Sequence, residues 1–216
     1  MSLTSHAALA DLAGRSYYTP WSGTLPIDDV SYDLLPRDSE VIVALPGTHV
    51  DDLLQWLRDL ATWPPIAFPR VGLCHPGFGE GGTAIAERVL KAVRGEKRLL
   101  SVIGHSLGGA MALVVGARLI DAGFRVRVIT YGAPRVAFVL NLALSRRLAG
   151  ALDLVEYRRA GDPVPTVPFW PLFRHVTRGA AIGVDCAPAS PIADVIAKSG
   201  NHAIGLYGAD LRALGR

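Results

Sequence analysis

The sequence predicts an α/β fold, a mostly parallel central sheet with helices on both faces, and three observations lead to it. Short apolar runs alternate with stretches of helical periodicity, the rhythm of successive βαβ units. A Gly-His-Ser-Leu-Gly turn, Gly104 to Gly108, joins an apolar strand-like run to an apolar helix-like one. Half of the 216 residues are hydrophobic and nothing in the middle of the chain resembles a linker, so residues 1–216 are expected to form one domain.

Strands are expected at 41–45, 71–74, 99–103, 126–131 and 154–158, each a short apolar run. Between the first two, Val50, Leu53, Leu54, Leu57 and Leu60 recur at helical spacing. Further helices are expected from about Gly82 to Val93, from the glycine-rich turn through Val115, and across 138–148. The middle one is apolar on nearly all faces, as a helix packed beside a sheet is. After Arg159, four prolines (Pro163, Pro165, Pro168 and Pro171) end regular structure and shape a loop, and loops at strand C-termini are where α/β sheets keep their sites. His175-Val176-Thr177 and the run from Ala180 to Val184, divided by Arg178-Gly179, read as a hairpin. A final helix is expected to begin near Asn201-His202 and to carry Ile204, Leu206, Tyr207 and Leu211.

Composition narrows the function. The formal charge of +3 comes from scattered arginines without a long basic run or interleaved aromatics, which argues against nucleic acid and leaves room for anionic surfaces or acidic substrates. Cys74 and Cys186 are too few for a disulfide framework and lack metal-ligand spacing, so both are expected to be buried thiols. The first eleven residues lack a basic segment and are interrupted by His6 and Asp11, unlike a signal peptide. No apolar stretch reaches membrane-spanning length without a charge or proline. A soluble cytoplasmic protein is the expectation, with export by a signal-independent route left open.

Chemistry concentrates at Ser106. The Gly-x-Ser-x-Gly turn between strand and helix is the nucleophile elbow of α/β-hydrolases, where glycines permit close packing and the serine stands at a strained apex. In that reading the Leu107 amide points at the oxyanion; in the plainer alternative Ser106 only caps the helix. The hydrolase order requires an acid and then a histidine after the serine. Only His175 and His202 follow Ser106; His175 opens the expected hairpin, whereas His202 stands at a loop-to-helix junction where a general base can reach Oγ. His105, beside the serine, should point away from Oγ. Among Asp153, Asp162, Asp185, Asp194 and Asp210, Asp162 alone lies just past a strand in a proline-stiffened loop. The expected triad is Ser106, His202 and Asp162.

At these residues the chain resembles the class 3 lipase family, α/β-hydrolases that include fungal-type lipases, phospholipases and feruloyl esterases. The markers appear in order: Ala44-Leu45-Pro46-Gly47-Thr48, Gln55-Trp56-Leu57-Arg58-Asp59-Leu60, Cys74-His75-Pro76-Gly77-Phe78, the elbow, Thr130 to Val136, Gly161 to Pro168, and His202 followed by Tyr207. The run from Ala7 to Leu12 is similar to the family's leading helix. The resemblance implies the same triad and adds Thr48 to the oxyanion hole, its amide joining that of Leu107. It assigns His75 and His175 no catalytic role. Pro46, Gln55 and Val136-Ala137 depart from the family pattern at positions that support the pocket, which puts substrate range in doubt more than the triad.

The family's lid would lie between Thr48 and Trp56, and only seven residues separate them, so weak interfacial activation and a preference for short-chain or partly soluble esters are expected. Phe169, Trp170, Leu172 and Phe173 form either an acyl-binding or membrane-touching lip or a small satellite core. The expected function is carboxylic ester hydrolysis through an acyl-enzyme, on small-molecule ester or lipid substrates, with no metal or organic cofactor. Two alternatives stand beside it: a phospholipase or acyltransferase using the same triad on membrane lipid, and a noncatalytic binding module on the same scaffold.

Overall fold

The computed structural model describes residues 3–18, 23–24, 31–47, 65–140, 142–168, 172–182 and 199–216. Their main sheet is built on five parallel strands: β3 (Glu40–Leu45), β6 (Leu99–His105), β7 (Val126–Tyr131), β9 (Asp153–Arg159) and β11 (Ala180–Ile182), side by side in that order. On the β3 side the sheet is extended by β2 (Ser31–Pro36) and then β1 (Gly23–Thr24), both antiparallel to their neighbours. A second, antiparallel sheet orders β10 (Phe173–Arg174), β8 (Ala137–Phe138), β5 (Gly72–Cys74) and β4 (Ile66–Phe68).

The central parallel strands β3, β6 and β7 are buried along their length and mostly apolar, because both of their faces are covered. Side chains alternate across β3: Val41, Val43 and Leu45 enter one core, and Ile42 and Ala44 the other. The first core is closed by α2 (Pro76–Ala92), α3 (Leu107–Asp121) and α4 (Ala143–Leu148), through Ile85, Val89, Leu113 and Leu148 among others. The second is closed by α1 (His6–Arg15) and α5 (Ile204–Ala213), through Leu9, Ala13, Tyr207 and Leu211. The Ser5 hydroxyl caps α1 by accepting the Ala8 amide at 3.3 Å. Cys74 is a free, buried thiol. Among the described residues, no helix is long and apolar enough to cross a membrane.

Several elements differ from expectation. α2 begins six residues early, at Pro76, because a proline suits the first helical turn, where its missing N–H has no intrahelical acceptor. The expected helix across 138–148 is shorter: Ala137–Phe138 pairs with β5 and β10, and only Ala143–Leu148 is helical. The strand at 71–74 lies in the antiparallel sheet, outside the parallel one. Among the described residues there is no hairpin around Arg178-Gly179. Phe173–Arg174 pairs antiparallel with β8 whereas Ala180–Ile182 pairs in parallel with β9, so the turn passes the chain from one sheet to the other. The last helix starts at Ile204, after a 3-10 turn at Ser199–His202. The expected helix through Val50 to Leu60, Thr48, the lid segment, Phe169, Trp170 and Cys186 lie outside the described residues.

Candidate active site

β6 runs straight into α3 through Ser106. Its backbone sits at φ 56° and ψ −127°, a region that non-glycine residues rarely adopt and that costs on the order of 1–3 kcal/mol. The neighbours make the turn possible: a Cβ on Gly104 would strike the Gly108 carbonyl, and one on Gly108 the carbonyls of Leu45 and Pro46. The turn is anchored by the Ser106 amide, which donates to the Tyr131 carbonyl at 3.0 Å. Ser106 makes no side-chain cap to α3, so the plain capping role is not what its hydroxyl does. Its Oγ is buried with no hydrogen-bond partner among the described residues. Leu107, the first residue of α3, offers one of the amides that a helix N-terminus leaves without an internal acceptor.

Asp162 follows β9 and His202 ends the 3-10 turn before α5, forty residues apart in the chain. The structure brings them together: His202 Nδ1 donates to Asp162 Oδ2 at 2.8 Å, and both side chains are buried. Asp162 Oδ1 accepts the Val164 amide at 2.9 Å, and Oδ2 also accepts the Tyr207 hydroxyl at 2.5 Å. The imidazole is therefore held at Nδ1, and Nε2 is left buried without a partner among the described residues. Burial, then the charge and hydrogen bond of Asp162, push the Tyr207 phenol well above its ordinary pKa, which keeps it a donor.

Other candidates are engaged elsewhere. Asp153 pairs with His6 at 3.0 Å and Asp210 with Arg159 at 2.8 Å, while Asp185 and Asp194 lie outside the described residues. His175 contacts a different carboxylate, buried Glu156, at 3.2 Å and donates from Nε2 to the Pro165 carbonyl at 2.8 Å. It thereby braces the loop that carries Asp162. Burial pushes the Glu156 pKa up, but the hydrogen bonds and charge of His175 and the Thr177 amide outweigh it and leave the carboxyl lowered. Arg135 grips the same loop through the carbonyls of Thr166 and Pro168. His75 is buried against Phe78 and Phe173, and burial lowers its pKa to about 4. Of the suggested lip, Phe173 belongs to the interior and Leu172 is exposed.

Thr48 itself is not described, but Gly47 is, and it lies against the elbow. A Cβ on Gly47 would stand 2.8 Å from the Ser106 Cβ and 2.8 Å from the His105 carbonyl. His105 does turn from Oγ: its ring bonds Tyr17 and the His202 backbone. Tyr17, His105 and Tyr207 are site residues whose roles sequence reasoning missed, although Tyr207 was marked by its place after His202.

Comparison with known proteins decides the family. The profile described as "Lipase (class 3)" matches residues 42–172, more than half of the chain. The chain belongs to the class 3 lipase family. A secreted mono- and diacylglycerol lipase 1 of Fusarium solani is 39% identical over 103 residues, 44% of this chain and 29% of that protein. A phospholipase A1-II 1 of rice, Oryza sativa subsp. indica, is 24% identical over 199 residues, 84% of this chain and 48% of that protein. This class 3 lipase family member thus spans less than half the length of these curated relatives. Its α/β-hydrolase fold is shared with the Lip2 lipase of Yarrowia lipolytica, with a TM-score of 0.66 and 22% identity over 91% of this chain and 90% of that one. The cytoplasmic expectation is corrected by the Fusarium relative, which is a secreted lipase.

Proposed function

We propose that this class 3 lipase family member hydrolyses carboxylic esters through an acyl-enzyme on Ser106. The observation that carries the reading is the buried Asp162–His202 pair, whose free Nε2 accompanies a strained serine at an elbow. In this mechanism Nε2 of His202 takes the hydroxyl proton as Ser106 Oγ attacks the ester carbonyl. The tetrahedral oxyanion rests on the amides of Leu107 and Thr48. His202 then gives its proton to the departing alcohol, and water releases the acyl group by the same route. Asp162 holds the tautomer that leaves Nε2 as base and stabilises the imidazolium that forms.

Ser106→Ala is expected to abolish p-nitrophenyl ester turnover and fluorophosphonate labelling while leaving the far-UV circular dichroism unchanged. Retained turnover would overturn the assignment. A membrane phospholipid is the second reading, favoured by the similarity to the rice phospholipase over most of this chain and by the formal charge of +3. Fatty acid release from phosphatidylglycerol vesicles, set against release from soluble short-chain esters, separates the two.

A further inference from the structure

Tyr17 and the ring of His105 link separate segments of the chain around the elbow. Nε2 lies 2.8 Å from the His202 carbonyl, which can only accept, so Nε2 carries the proton. Nδ1 of the neutral ring then accepts from the Tyr17 hydroxyl at 2.7 Å. The Tyr17 oxygen also lies against Gly47, where an added Cβ would collide with it. A one-directional relay results, from Tyr17 to His105 and from His105 to the His202 backbone, with Gly47 packed on the Tyr17 oxygen. The His105 and His202 rings also pack together, centroids 4.4 Å apart and planes 30° from parallel.

The relay joins parts that must keep a fixed spacing if the Ser106 chemistry proceeds as proposed. His105 immediately precedes the nucleophile, Gly47 immediately precedes Thr48, and His202 carries the base. Asp162 holds the side-chain end of His202 at Nδ1, whereas His105 holds its backbone end. We propose that Tyr17 and His105 are positioning residues for ester hydrolysis, tying the base and the Gly47 edge of the oxyanion site to the elbow. This rests on the ester-hydrolase reading above. Neither residue touches substrate; each acts through the groups it holds. Burial, with the His202 ring alongside, keeps His105 neutral, as the relay requires.

Tyr17→Phe, His105→Phe and His105→Gln test the proposal, with p-nitrophenyl butyrate kinetics, fluorophosphonate labelling rate and thermal denaturation read on each. Tyr17→Phe removes one oxygen and keeps the ring, so it reports even where a His105 variant does not fold. Both phenylalanine variants are expected to lose about tenfold or more in kcat and in labelling rate, with KM within about twofold of the parent. His105→Gln retains an amide donor for the His202 carbonyl and is expected to recover most of the loss. Variants whose kcat and labelling stay within about twofold of the parent overturn the relay, as does a loss that glutamine fails to rescue and that tracks the melting temperature. A parent enzyme that fluorophosphonate does not label overturns the ester-hydrolase reading instead.

Discussion

Tyr207 and His202 converge on one oxygen: Oδ2 of Asp162 accepts the phenol at 2.5 Å and the imidazole Nδ1 at 2.8 Å. The Tyr207 oxygen also accepts the Arg159 amide at 3.1 Å, so the phenol connects the end of β9 to the carboxylate three residues further along the chain. Removing this donor leaves Asp162 with two of its three partners. Tyr207→Phe is expected to lower kcat/KM for a p-nitrophenyl ester about tenfold, roughly the 1.5 kcal/mol of a hydrogen bond to a charged group. Steady-state kinetics check it, and a variant as active as the parent would remove Tyr207 from the acid's support.

The buried histidine–carboxylate pairs His175–Glu156 and His202–Asp162 have different expected consequences. His175 touches Glu156 and the Pro165 carbonyl, and its removal leaves a buried carboxylate held by Thr177. His175→Ala should therefore destabilise the protein by about 3 kcal/mol while the folded fraction still reacts with fluorophosphonate. His202→Ala should abolish labelling. Urea denaturation and labelling, read side by side, check the contrast; labelling lost in His175→Ala and kept in His202→Ala would reverse the choice of base.

The contrast also indicates what the sequence carried. Chain order and a proline-stiffened loop singled out Asp162 and His202, and these two are in hydrogen-bond contact. The elbow was legible because its glycines and serine are neighbours in the chain. Strand Val126–Tyr131 was legible from neighbouring residues too, its β-branched and aromatic side chains outweighing Arg127 and Thr130. The hairpin reading failed because local alternation carries no information on pairing: the partner of Ala180 is Tyr157, not a residue across the turn. The bond between Tyr17 and His105 spans 88 residues and that between His105 and His202 spans 97, and no local pattern reports either.

His75 makes stability depend on acid. Both of its ring nitrogens are buried without a hydrogen-bond partner among the described residues, and burial lowers the folded-state pKa from 6.5 to about 4. The unfolded chain binds the proton more readily, so the contribution is present above pH 6.5 and is lost as the pH falls from there toward 4. The full loss is on the order of 3 kcal/mol. His75→Phe should show a correspondingly flatter decline between pH 7 and 4.5 in urea titrations. Parallel curves for parent and variant would contradict the prediction.

Arg127 and Glu40 form a buried ion pair, 2.7 Å apart, under the start of the chain. Arg127 also donates to Ser101 at 2.6 Å and to the Thr4 carbonyl at 3.0 Å, and Glu40 accepts the Thr4 amide at 2.8 Å and the Ser101 hydroxyl. Burial pushes the Glu40 carboxyl upward, but bonds from Ser101 and Thr4 and the charge of Arg127 outweigh it and lower its pKa. Arg127→Met removes that compensation and strands the carboxylate, at an expected cost of about 3–5 kcal/mol. Adding Glu40→Leu removes the stranded charge and should recover a large part of that loss, because two apolar side chains in contact need no desolvation compensated. Denaturation of the parent, the two single variants and the double variant closes the cycle. A double variant no more stable than Arg127→Met alone would show that the pair contributes through the Ser101 and Thr4 bonds it organises rather than through its own charges.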